Sequence, residues 1–78
     1  MAAQIKPTGL LKSYTGGQSV ITIDASELSS KSIRDFLRSL NIPSEMVAMV
    51  LVNGILLEKD YLVRDGDIVQ LIPLIGGG

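Results

Sequence analysis

The chain contains neither cysteine nor histidine. Without cysteine there is no disulfide, no thiolate nucleophile and no Cys-rich metal site. Without histidine, the side chain best suited to proton transfer near neutral pH is missing too. These absences exclude a Ser-His-Asp enzyme, a Cys-His enzyme and a metal-assisted hydrolase, and they argue against an autonomous enzyme. The closest carboxylate pair, Asp65 and Asp67, flanks Gly66 and reads as a turn whose acids bond local backbone amides. Such a pair lacks the partners an acid–base site needs. One other reactive group remains, the carboxylate of Gly78. It follows Gly76 and Gly77, directly after the apolar run Ile72-Pro73-Leu74-Ile75. Glycine loses the most conformational freedom on ordering, so three of them stabilise nothing, but they can thread a space too narrow for side chains. Read by themselves, the same letters equally describe a loose chain end or a linker.

The elements that would position such a tail must come from a small aliphatic domain. Seventy-eight residues make one domain, 46% hydrophobic with one Phe, two Tyr and no Trp. Seven basic and eight acidic side chains give a net charge of −1, which offers no long-range attraction for nucleic acid or anionic lipid. No aromatic platform for stacking bases is present. The longest apolar stretch, Met46 to Val52, falls far short of the ~20 residues that span a bilayer. No signal peptide precedes the first strand-like segment, and a cytoplasmic location without nucleic-acid or membrane partners is expected.

Ala3 to Lys6 begins a strand that Pro7 and Gly9 should cut short or force to bulge. Leu10, Leu11 and Tyr14 then anchor an irregular return, and Thr15-Gly16-Gly17-Gln18 is a hairpin turn. Ser19 to Asp24 alternates as a strand, with Ile21 and Ile23 on one face. After a polar connection, Ile33, Phe36, Leu37 and Leu40 form one apolar helical stripe. Ser32 and Asp35 fit a capping pair, and Asn41 and Pro43 close a helix of about eight or nine residues. The run from Met46 or Val47 to Val52 reads as a strand entering an Asn53-Gly54 hairpin turn. Ile55 to Glu58 returns, Tyr61 and Leu62 pack beneath a connecting loop, and Ile68 to Ile72 forms the last strand. There Val69 and Leu71 share the inner face, and Ile68, Gln70 and Ile72 the outer. The pattern predicts an α+β roll with one helix on one face of the sheet. Its expected core is Ile5, Ile21, Ile23, Ile33, Phe36, Leu37, Leu40, Val50, Val52, Val69 and Leu71.

Val52-Asn53-Gly54, then Asp65-Gly66-Asp67-x-Val69, then Pro73 and a terminal Gly77-Gly78 after Ile75 resemble the MoaD/ThiS family of ubiquitin-like sulfur carriers. Each motif is an ordinary turn; their order and spacing from about Ser19 to Gly78 carry the resemblance. It implies a β-grasp fold, with a mixed sheet of four to five strands. The final strand would lie between the first strand and Val47–Val52. The domain would cover residues 1–75, with residues 76–78 as a flexible tail. Ile68 and Ile72 would then lie beside Met49 and Leu51 on the face away from the helix. An apolar patch there reads as a partner surface, together with Pro73, Leu74 and Ile75, unless the N-terminal segment covers it.

The resemblance further implies that an adenylating, ubiquitin-activating-like partner uses ATP and Mg²⁺ to convert the Gly78 carboxylate to an acyl-adenylate. Sulfur from a donor system then replaces AMP, leaving a thiocarboxylate, with Gly76 and Gly77 threading the partner's site. The chain itself would bind no cofactor or metal. A sulfur-accepting synthase or large subunit would take the sulfur. Pro73 before the glycines favours the molybdopterin (or tungsten-pterin) type, whereas the compact chain is equally similar to the thiamin-thiazole carrier. A protein modifier joined through Gly78 and a non-covalent binding module are the alternatives of another class.

Overall fold

β-Branched and aliphatic residues at alternate positions suit a pleated, half-buried surface, and five such segments pair into one sheet. The computed structural model describes residues 1–74. Its strands are β1 (Ala2–Pro7), β2 (Ile21–Asp24), β3 (Val47–Val52), β4 (Ile55–Leu57) and β5 (Ile68–Pro73), with one α-helix, α1 (Ile33–Ser39). Short 3₁₀ segments occupy Gly9–Thr15, Ala25–Glu27 and Ser44–Met46. The strand order is β2-β1-β5-β3-β4. β5 therefore lies centrally, parallel to β1 and antiparallel to β3, as a β-grasp fold requires.

β1 runs unbroken through Pro7, contrary to the expected interruption. The amides of Gln4 and Thr8 donate to Asp67 and Leu71 on the β5 side. By alternation, the nitrogen of Pro7 faces the β2 side, beyond the last β1–β2 pair, Ile5 with Ile21. β1–β2 pairing has ended by then, so the missing N–H interrupts no ladder bond. Pro73 obeys the same logic in β5. The Leu74 amide donates to Met46 on the β3 side, which turns the Pro73 nitrogen towards β1, past that strand's last pair, Pro7 with Leu71.

Ser32 and Asp35 form the expected capping box: the Ser32 hydroxyl accepts the Asp35 amide at 3.1 Å, and the Asp35 carboxylate accepts the Ser32 amide at 2.9 Å. α1 is seven residues long, slightly shorter than expected. Leu40 is its C-cap, and Asn41 takes a left-handed φ of 59°. Asn53 and Gly54, with φ of 52° and 85°, make the two-residue turn between β3 and β4, and glycine reaches such values freely.

The core unites Ile33, Phe36 and Leu37 of α1 with Ile5, Ile23, Val50, Val52, Val69 and Leu71 of the sheet. Ile21 and Leu40 are half-buried at its rim rather than inside it. Leu11, Leu28, Ile42, Val47 and Val63 complete it. Three expected anchors differ from the sequence reading. In the Gly9–Thr15 segment only Leu11 is buried, while Leu10 and Tyr14 stay largely exposed. In the later loop Tyr61 and Val63 turn inward and Leu62 is 51% exposed, because Leu62 pairs briefly with Ser32 and alternation sends its side chain outward.

Candidate functional site

On the outer face of the sheet the register places Met49 opposite Ile72, and Leu51 opposite both Gln70 on β5 and Leu56 on β4. Directly paired residues share a face, so Met49, Leu51, Leu56 and Ile72 cluster. Met49 is 45% and Leu56 60% exposed, so the N-terminal segment does not cover them; Ile72 and Leu51 are half-buried. Ile68 is also exposed, but Gln70 separates it from Ile72 along the strand, and its β1 neighbour is Gln4. Ile68 shares the outer face with Met49 and Leu51 but lies diagonal to Leu51 rather than directly opposite either. Leu56 joins them, and the Asn53-Gly54 turn already encoded that pairing, since a two-residue loop sets 52 against 55 and 51 against 56.

A register irregularity between Val47 and Met49 shapes the patch further. Val47 and Val50 both point into the core, while Ala48 and Met49 are both exposed. β4 pairs with β3 only over Val50–Val52, which leaves residues 48–49 at an open sheet edge. An open groove of about 550 Å³ lies there, lined by Ala48, Met49, Leu56 and Leu57 with Arg34, Glu58 and Lys59 around it.

The exit of β5 adjoins this surface. Pro73 is half-buried opposite Val47, and Leu74 is 52% exposed with its amide bonded to the Met46 carbonyl at 2.8 Å. The candidate residues Ile75, Gly76, Gly77 and Gly78 lie outside the described residues, as does the junction between domain and tail.

Asp65 and Asp67 do not converge on any common point. Asp65 is exposed, whereas Asp67 is buried and accepts from the Tyr61 hydroxyl at 2.7 Å, the Asn53 side-chain amide at 2.9 Å and the Arg64 backbone amide at 2.9 Å. Burial alone would raise the Asp67 pKa. Those three hydrogen bonds and the Arg64 charge outweigh it, and hold the carboxyl below its ordinary value of 3.8. The bond to Asp67, with burial and the aspartate charge, in turn raises Tyr61 above its ordinary 10.0. The pair is a structural clasp. Among the described residues no three potential metal-ligating His, Cys, Asp or Glu side chains gather, and no helix is long and apolar enough to cross a membrane.

Solved structures from different organisms share this architecture. The HVO 2177 protein of Haloferax volcanii superposes with a TM-score of 0.71 at 23% identity, over 100% of this chain and 87% of that one. A Pyrococcus furiosus protein assigned as molybdopterin converting factor subunit 1 gives 0.66 at 17% identity, over 96% and 99%. A chain from the Helicobacter pylori complex of molybdopterin-converting factor subunits 1 and 2 gives 0.59 at 19%, over the whole of both chains. At such identities the likeness is one of fold. The sequence model of the ThiS family matches residues 12–78, which takes in the capping box, the clasp residues, the outer patch and the glycines. On that match the chain belongs to the ThiS family of β-grasp sulfur carriers.

Proposed function

We propose that the chain carries sulfur as a thiocarboxylate at Gly78 and delivers it to a synthase that builds a sulfur-containing cofactor. The observation that carries this reading is the junction of a centrally held β5 with an exposed apolar surface, directly before the Gly76-Gly77-Gly78 sequence. The chain supplies a nucleophile and a docking face; catalysis belongs to its partners. In the first step an oxygen of the Gly78 carboxylate attacks the α-phosphorus of ATP, and pyrophosphate leaves. In the second, a sulfide-level sulfur nucleophile attacks the acyl carbon, and AMP departs with the oxygen. Carboxylates are ionised at neutral pH, so no base on this chain is needed. The adenylating partner holds ATP and Mg²⁺ and supplies the donors that stabilise charge developing on phosphate.

Met49, Leu51, Leu56 and Ile72 are the docking residues, with Pro73, Leu74 and Ile75 leading into the partner's site and Ile68 at the margin. Four extended residues after Leu74 reach roughly 13–14 Å at 3.3–3.6 Å each, enough to enter a buried site while the domain stays outside. Fold neighbours named as molybdopterin converting factor subunits support a pterin-type acceptor and a large-subunit partner. The ThiS family match supports a thiazole-type acceptor as the second reading. A cytoplasmic location with soluble partners goes with either reading.

Intact-mass measurement tests the proposal. The protein is incubated with sulfide, ATP, Mg²⁺ and the cognate adenylating enzyme, and one oxygen should exchange for sulfur at Gly78. No change with an enzyme active on another carrier sinks it, and a ladder of isopeptide-linked species instead indicates a protein modifier. A variant extended by one residue after Gly78 should stay folded and unreactive. Presenting the thiocarboxylate to a pterin synthase and to a thiazole synthase separates the two acceptors.

A further inference from the structure

Thr8 stands at the N-cap of the Gly9–Thr15 segment, where a threonine hydroxyl ordinarily caps the turn that follows. It makes no such bond. Its hydroxyl instead donates to the carbonyl of Leu71 at 2.8 Å, across 63 positions of sequence, and its amide donates to that same carbonyl at 3.2 Å. Both lone pairs of one β5 carbonyl are thus engaged by one residue. Gly9 follows with a φ of +56°, and a Cβ placed on it would lie 3.1 Å from Cγ of Pro73. Leu11, fully buried, fixes this turn to the core. β1 has no further ladder bond to offer past Pro7, and Pro73 has no amide to donate. On that side, Thr8 and Gly9 are what hold the end of β5. On the other side the Met46 carbonyl holds the Leu74 amide.

We propose that Thr8, with Gly9 beside it, is a positioning residue that clamps Leu71 to Leu74, the segment that leads to the glycines, into the sheet. This rests on the sulfur-carrier reading for its purpose, though not for its geometry. With the clamp, Leu71 to Leu74 are already ordered when a partner engages the chain. Without it, the strand end frays and more backbone freedom is lost on binding.

The test compares Thr8→Val, which keeps shape and removes the hydroxyl, with Thr8→Ser, which keeps the hydroxyl. Amide hydrogen exchange is read at Leu74, whose bond lies on the far side of β5 from Thr8. Thr8→Val should speed exchange at Leu74 by about tenfold relative to Val50 and Val52, as expected for a local opening rather than global unfolding. Thr8→Ser should match the wild type. Pyrophosphate release with the cognate adenylating enzyme should show KM for Thr8→Val raised about three- to tenfold with kcat nearly unchanged, the mark of a lost ground-state arrangement. Equal exchange in Thr8→Val and wild type overturns the clamp. An unchanged KM overturns its role in presenting the tail. If the wild-type chain releases no pyrophosphate with an enzyme active on another carrier, the carrier chemistry fails, and the exchange comparison still decides the clamp.

Discussion

Asn53 and Asp67 join two turns at the start of the central strand: the Asn53 side-chain amide donates to an Asp67 carboxylate oxygen at 2.9 Å. The Asn53 carbonyl oxygen accepts the Ile68 amide, also at 2.9 Å. The hairpin turn between β3 and β4 is thereby tied to the first residue of β5, and Asp67 extends the tie to Tyr61 and Arg64. Register is fixed at the end of β5 opposite the tail.

Asp67→Ala should lower the unfolding free energy by about 1–3 kcal/mol, because three donors around a buried carboxylate lose their acceptor. Urea denaturation measures it. A loss below about 1 kcal/mol would mean that water replaces the carboxylate.

The same clasp should contribute to both ends of the stability–pH profile, with Asp24 and Asp35, also shifted down, sharing the acid end. Asp67 titrates lower in the folded protein than its ordinary 3.8, so its contribution is complete above that value and is lost as pH falls through the depressed folded pKa. Tyr61 titrates above its ordinary 10.0, so its contribution is complete below 10.0 and is lost as pH rises through the folded value. Thermal melts across pH should show Asp67→Asn flattening the acid limb and Tyr61→Phe the alkaline limb. Unchanged limbs would assign the pH dependence to other groups.

Ser32→Ala removes the acceptor for the Asp35 amide from a helix of seven residues. N-cap removal costs about 1 kcal/mol, which in a domain of this size lowers Tm by about 4–8 °C. Ser32→Asp should keep most of the stability, and circular dichroism melts distinguish the two.

Met49→Ser with Leu56→Ser should leave the fold intact, since both side chains are largely exposed. Binding to the adenylating partner, followed by calorimetry, should weaken about tenfold or more, as loss of two apolar anchors implies. Undiminished affinity would move the docking surface elsewhere.

Much of this was legible in the sequence because local chemistry and global fold agree. The helix stripe and its capping pair, the Asn53-Gly54 turn and the alternation of Val69 and Leu71 each pointed to the observed element. What escaped depends on neighbours distant in sequence. Strict alternation puts Val47 with Met49 on the outer face; the irregularity between them reverses that, and nothing in Val47-Ala48-Met49 announces it. Pro7 looked like a strand breaker because a lone sequence does not show that β2 has already ended where its nitrogen points. Asp67 read as a turn former, whereas Tyr61 and Asn53 make it the hub of a clasp. At the site, the outward placement of Met49, Leu51 and Ile72 was legible. Leu56 was recoverable from the turn but overlooked, and the diagonal offset of Ile68 required the β3–β5 register.

The central place of β5 also sets when the molecule can come into being. β5 pairs Val69 with Ile5 at one edge and Val50 with Leu71 at the other, so the first strand must wait for the last before either is properly covered. Pairings so distant in sequence slow folding, because loop closure precedes any compensating contact. During synthesis the nascent chain cannot close its sheet until the segment through Pro73 has left the ribosome. Chains broken off before that point have no central strand and are open to proteolysis. Completion of the fold and arrival of the segment that leads to the glycines are thus nearly the same event.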